Sequence, residues 1–290
     1  MKRVWQFLLL LLPASSIAAQ GSQHLPLQRQ YQAGQASAYR MTGNNDGWHY
    51  TAEARGTVVS DPGGAFHEDF AWSNLVSDGR VQALPPAMLA WRQRLSLDPN
   101  QMPLPADLSQ ADSRMIGPIT DLMTFYVDVW LANKLGQLRK PGDHFYFPNP
   151  ITPSWADGRT VTLGEDAIDF DMILKSVDLT AGTALLEVRH VPPPQPRVRL
   201  PAAWMKTAGA SPPNWVEVRK LANGNFSAAF GQESFDVTVT IALSDGHIVH
   251  AEMSNPVKTI GRICTDQSLA QCGEAQPHDL LRKILIDEIR

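Results

Sequence analysis

The chain reads as a mainly β (α+β) protein: a curved antiparallel meander sheet, half-barrel-like, wrapped around one apolar helix. Three observations carry that reading. Runs of alternating apolar and polar residues recur along the chain. Tight-turn pairs such as Asp-Gly and Asn-Gly separate consecutive runs. One long segment, Pro118 to Leu138, breaks the period of two and is apolar on most of its circumference.

The elements follow in order. Asn44-Asn45-Asp46-Gly47 separates Tyr39–Thr42 from Trp48–Val59. In the second run Tyr50, Ala52, Ala54 and Val58 oppose Thr51, Glu53, Arg55 and Thr57. Asp61-Pro62-Gly63-Gly64 leads into Phe66–Leu75, which Ser77-Asp78-Gly79 closes. The helix is predicted next, with Pro118 suited to a first turn. Ala181-Gly182 then joins Ile168–Val177 to Thr183–Val191, and Asn223-Gly224 joins Trp215–Lys220 to Phe226–Phe230. In Phe235–Leu243 the odd positions are large and apolar, and Asp245-Gly246 turns that run into His247–Met253. Sequence neighbours are expected to pair in space. The end, Asp279–Arg290, fits a helix through Leu280, Leu281, Ile284, Leu285 and Ile289, and a strand through Ile284 and Ile286.

Residues 98–113 and 191–214 are Pro-rich and read as long extended connections. Turn-rich strands continue on both sides of each without a change of character. One β-rich domain over residues 20–290 is therefore expected.

The 290 residues are 43% hydrophobic and 19% charged, which excludes a disordered or collagen-like chain. Lys2 and Arg3, an apolar run from Val4 to Leu12, Pro13 and Ser16-Ile17-Ala18-Ala19 have the pattern of a signal peptide over residues 1–19. An exported protein, periplasmic or extracellular, is the expectation. Without the two leader cations the formal charge moves from −4 to −6, so nucleic acid is not an expected partner. No later segment has the apolar length of a membrane helix. Cys264 and Cys272 are the only cysteines, and in an oxidising compartment they read as one disulfide.

The stretches TGNNDGWHYTAEARGTVV, RLSLDPNQMPLPADLS, GDHFYFPNPITPSWADG and VRHVPPPQPRVRLPAAWM resemble an uncharacterised group of exported bacterial proteins. That resemblance brings no catalytic residues with it. The order of leader, early strand meander, apolar helix and further meander is similar in architecture to the lipoprotein-carrier half-barrel fold. It implies an apolar concave face over the helix.

Common reactive signatures are absent from the chain: no G-x-S-x-G elbow, no H-E-x-x-H, no C-x-x-C and no phosphate loop. Glu68 draws notice because it shares parity with Phe66, Phe70 and Trp72. A carboxylate on a core face is either a catalytic candidate or the partner of an arginine. Asp169 and Asp171 project together from a strand and are candidates for a metal or an acid–base pair, against a solvated strand face. Asp121, Thr124 and Asp128 line one stripe of the helix and read as its wet face. His247 and His250, three apart on a strand, point opposite ways and do not read as a metal pair. Trp155, Trp204 and Trp215 stand in or beside the Pro-rich connections. No cofactor is expected. The leading expectation is binding of an apolar small molecule or lipid in the concave face, on Phe70, Trp72, Trp91, Leu122, Tyr126 and Trp130. A secreted hydrolase using Glu68 or Asp169 and Asp171, or an envelope interaction module, are the alternatives.

Overall fold

A computed structural model describes residues 26–45, 47–101, 107–108, 111–148, 152–153, 161–206 and 212–289. The predicted leader, the Asp46 corner of the first hairpin, Trp155 and parts of both Pro-rich connections lie outside the described residues.

The chain is mainly β. Strands β1 (Ala36–Asn45), β2 (Trp48–Ser60), β3 (Phe66–Ser77) and β4 (Arg80–Val81) come first, then a short helix α1 (Pro86–Ala90) and β5 (Gln93–Leu95). The long helix α2 (Ile116–Leu135) is followed by β6 (His144–Phe147), β7 (Thr152–Pro153), β8 (Val161–Asp166), β9 (Asp169–Asp178) and β10 (Thr183–Val191). The last part holds β11 (Trp215–Lys220), β12 (Phe226–Glu233), β13 (Phe235–Ala242), β14 (Ile248–Cys264) and β15 (Gln276–Glu288). They form one open, curved antiparallel sheet. Asp245-Gly246 does make the β13–β14 hairpin, with Gly246 at φ 75°.

The sheet forks at β14. Its first half, to Ser254, pairs with β13, and its second half, from Val257, pairs with β12. Asn255 and Pro256 stand at the fork. Proline has no N–H to leave unbonded where one neighbour departs and the next arrives. Its carbonyl accepts the Ser234 amide at 3.4 Å, and the buried Asn255 amide donates to the Ser234 carbonyl at 2.8 Å. One limb runs β6-β9-β10-β13-β14-β15-β1-β2-β3, and the other runs β7-β8-β11-β12-β14.

Each limb has its own core. The larger core packs α2 against the inward residues of β1–β3, β9, β10 and β13–β15. The smaller joins Val216, Val218, Phe226, Ala228 and Phe230 to Met205 and the Cys264–Cys272 disulfide. The apolar circumference of α2 is buried as expected, with Ile119, Leu122, Phe125, Tyr126 and Val129 fully enclosed. Gly136 ends the helix in the left-handed conformation.

Two sequence expectations resolve differently from their simplest form. Of the segment 279–290, residues 279–288 are strand, because β15 lies between β1 and β14 and both its edges are paired. Trp91 follows α1 and is half-buried against the larger core. Asp121 and Asp128 are not a wet face, since both are buried. Thr124 turns its hydroxyl onto the Thr120 carbonyl at 3.1 Å.

Candidate functional site

Glu68 lies on the inward face of β3 and is 1% exposed. One carboxylate oxygen, Oε2, accepts from Ser37 Oγ and from the Tyr126 hydroxyl, each at 2.9 Å. The other, Oε1, faces Arg29 Nε at 3.6 Å without a hydrogen bond. Glu68 is thus the partner of an arginine. Arg29 comes from the segment preceding β1, residues 26–35, which crosses the end of the sheet over the β13–β14 turn. Leu27 of this strap is buried in the larger core. The Gln30 amide donates to the Asp245 carbonyl at 2.7 Å. At Gly246 an added Cβ would stand 2.3 Å from the Gln28 carbonyl oxygen, so only glycine lets the strap pass this close.

Arg29 is shared between two acids. Its Nη1 donates to Asp245 Oδ2 at 2.9 Å, its Nη2 reaches Gln35 Oε1 at 3.2 Å, and its guanidinium lies 4.5 Å over the Tyr31 ring. Burial alone would lower the Arg29 pKa, but Glu68, Tyr126, Tyr31 and Asp245 together raise it. Burial raises the Asp245 pKa, yet the hydrogen bonds from His247 and Gln35 and the charges of His247 and Arg29 bring it down to about 2. Burial, then the Glu68 charge, push the Tyr31, Tyr39 and Tyr126 hydroxyls well above the usual tyrosine range. They stay protonated at every ordinary pH, and the Tyr126 hydroxyl donates to Glu68.

A second polar group ties α2 to the fork. Asp121 accepts from the Tyr50 hydroxyl at 2.9 Å and pairs with Arg282 of β15. Arg282 also donates to Asn255 Oδ1 and to Asn45 Oδ1, each at 3.3 Å. Tyr50 reaches inward because its cross-strand partner is Gly43, where a Cβ would fall 2.0 Å from the Tyr50 ring. Further along the helix, Asp128 Oδ1 bonds His190 Nε2 at 2.7 Å. Burial raises the Asp128 pKa, with His190 opposing. Beside the fork, Asp166 and Glu233 face each other carboxyl to carboxyl. Burial and then the Glu233 charge push Asp166 up to about 9, and burial raises Glu233 to about 6. The pair therefore keeps a proton at neutral pH.

The other predicted residues fall in separate places. Phe70, Trp72, Leu122 and Tyr126 are together and at most 1% exposed. Trp72 donates to Gln93 Oε1 at 3.0 Å, and Gln93 to the Ile119 carbonyl at 2.9 Å. Trp91 and Trp130 are half-buried at the margin of that core, where Trp130 donates to the Asp98 carbonyl at 2.9 Å. Asp169 and Asp171 do share a strand face, but each has its own partners. Asp169 accepts from Tyr146, and Asp171 is bound by His144 and Arg189. Burial works against the Asp171 charge, but His144 and Arg189 hold its carboxyl below the ordinary value. Among the described residues no group of three or more His, Cys, Asp or Glu is placed to hold a metal ion. Trp204 packs edge-on against Phe230 at 5.8 Å in the smaller core.

Sequence reasoning missed Arg29, Asp245, His190 and Arg282. Arg282 carried a signal: on the strand reading it shares parity with the buried Ile284 and Ile286, as Glu68 does with Phe70. Arg29 carried none, because residues 26–35 have no period. On the outer face, an open depression of about 800 Å³ crosses β10, β13, β14, β15 and β1. It is lined by residues of both charges, Glu187, Arg189, Glu252 and Lys283 among them.

No protein-family model and no curated protein matches the chain. Among solved structures, a chain of "The complex structure of Pseudomonas aeruginosa MucA/MucB" aligns over 88% of this chain and 89% of that one. The identity is 11% and the TM-score 0.16, a value too low to establish a shared fold.

Proposed function

We propose that this is an exported protein that binds an apolar or amphipathic ligand at the concave face of its curved sheet. The observation that carries the reading is the aromatic margin of the larger core. Trp48, Trp91, Trp130, Phe145 and Phe147 pack against that core and are only partly buried. Aromatic side chains left partly accessible beside a packed interior are a usual feature of ligand and partner sites. Export is supported by the disulfide, which is stable in an oxidising compartment. No described helix is long and apolar enough to cross a membrane.

Trp91 and Trp130 are the first contact in this reading. The enclosed Phe70, Trp72, Leu122 and Tyr126 are reached only when a packed element moves aside. Native mass spectrometry of gently purified protein is expected to find a co-purified apolar molecule. Titration with decyl maltoside below its micelle-forming concentration should perturb tryptophan fluorescence. The double substitution Trp91→Ala with Trp130→Ala should weaken that binding about tenfold or more, in line with the loss of two large apolar contacts. A protein that carries no ligand, with amphiphile binding unchanged in the double variant, would remove the reading.

A further inference from the structure

Resting on that reading and deepening it, we propose that the Glu68 pocket receives the ammonium head of a cationic amphiphile, a primary alkylamine in class. The strap of residues 26–35 occupies the pocket as a built-in surrogate.

The strap presents the two parts such a ligand would have. Leu27 places an apolar side chain in the larger core, and Arg29, two residues on, places a cation against Glu68. The receptor side is a buried carboxylate braced by Ser37 of β1 and Tyr126 of α2, while the Tyr31 ring over the guanidinium belongs to the strap and leaves with it.

The surrogate fits imperfectly. Arg29 Nε and Glu68 Oε1 are both shielded from solvent and neither makes a hydrogen bond. Asp245, at 2.9 Å, holds the guanidinium off Glu68, which is left at 3.6 Å. A buried charge pair short of hydrogen bonds is a weak source of stability. A primary ammonium is compact, carries three donors and has no second acid holding it back, so it can supply the bond Oε1 lacks. Arg29 in turn loses little on leaving, because Asp245 is itself partly exposed and can keep it at the surface. The strap precedes β1, so its departure breaks no strand ladder. Its backbone ties to the rest include Gln30 to Asp245 and the exchange of Gly34 and Gln35 with Val58.

The test uses the full chain with three probes sharing a ten-carbon tail: decylammonium, decanoate and decyl maltoside, each below its micelle-forming concentration. Decylammonium is expected to bind about tenfold or more tightly than the other two. Its binding should speed hydrogen exchange at the Gln30 and Gly34 amides. Glu68→Gln should erase the preference for the amine while decyl maltoside still binds. Gly246→Ala, which crowds the Gln28 carbonyl without touching Glu68, should raise the affinity for decylammonium. Should Glu68→Gln fail to fold, the head-group series and strap exchange in the unmodified protein still decide. Equal binding of all three probes, or amine binding that leaves strap exchange unchanged, overturns the head-group assignment and leaves the concave-face reading standing. Binding of none overturns both.

Discussion

At Glu68 and Asp245 two acids compete for one guanidinium, and the distances decide the outcome: Arg29 sits 2.9 Å from Asp245 and 3.6 Å from Glu68. The remaining support for the Glu68 charge comes from hydroxyls. Tyr126→Phe removes one of them and should cost about 1.5–3 kcal/mol, the range for a hydrogen bond to a charged group, read from urea unfolding. At Asp121 the bond is to Arg282, with Tyr50 as a second donor. Asp121→Ala leaves Arg282 without its main counter-charge and should destabilise by about 3–5 kcal/mol. A double-mutant cycle with Arg282→Met should recover much of that loss, because both members of the pair are then gone. Parity makes Glu68 legible in the sequence, since a charge stands among Phe66, Phe70 and Trp72. The same rule would have found Arg282. It missed because a stretch with Leu280, Leu281, Ile284 and Leu285 satisfies both periods, and only pairing with β1 and β14 selects the strand.

Among elements, α2 has no polar face to offer solvent, and its two inward aspartates each have a partner on the sheet. The apolar contacts carry the rest: Leu122→Ala should cost about 2–5 kcal/mol, as for other fully enclosed leucines. The ends of β8 and β12 meet at Asp166 and Glu233, and this contact gives a pH dependence whose sign is fixed. Both carboxyls bind their proton more tightly in the folded chain than at the ordinary carboxyl value of about 4. Their contribution to stability is therefore fully present at acid pH and declines as pH rises toward about 9, the raised Asp166 value, and then levels off. Asp245 acts in the opposite sense, adding stability above the ordinary value that is lost as pH falls toward about 2. Asp166→Asn should flatten the urea midpoint between pH 6 and pH 9, near the raised values of the pair, and raise it at the alkaline end. An unchanged slope would show that the pair does not hold its proton.

The whole molecule is one sheet serving two cores, with β14 common to both. The disulfide belongs to the smaller core, where it ties the end of β14 to the connection leading into β15. Closing a loop this short contributes about 2.5 kcal/mol through the unfolded chain. Cys264→Ser with Cys272→Ser should therefore speed hydrogen exchange first in β11 and β12, while β1–β3 and α2 keep their protection. Uniform loss across both limbs would mean that the two cores unfold as one unit.

The alternation of side chains, the Asp-Gly and Asn-Gly turns and the apolar circumference of residues 118–138 determined by themselves a curved antiparallel sheet around one buried helix. They did so because period and turn chemistry are local properties that each short segment carries alone. Which strands meet across the molecule, where β14 forks, and that Arg29 and Arg282 enter the core to answer Glu68 and Asp121 were decided only by the tertiary structure. Those pairings join residues far apart in the chain, and no local period records which buried charge will find which partner.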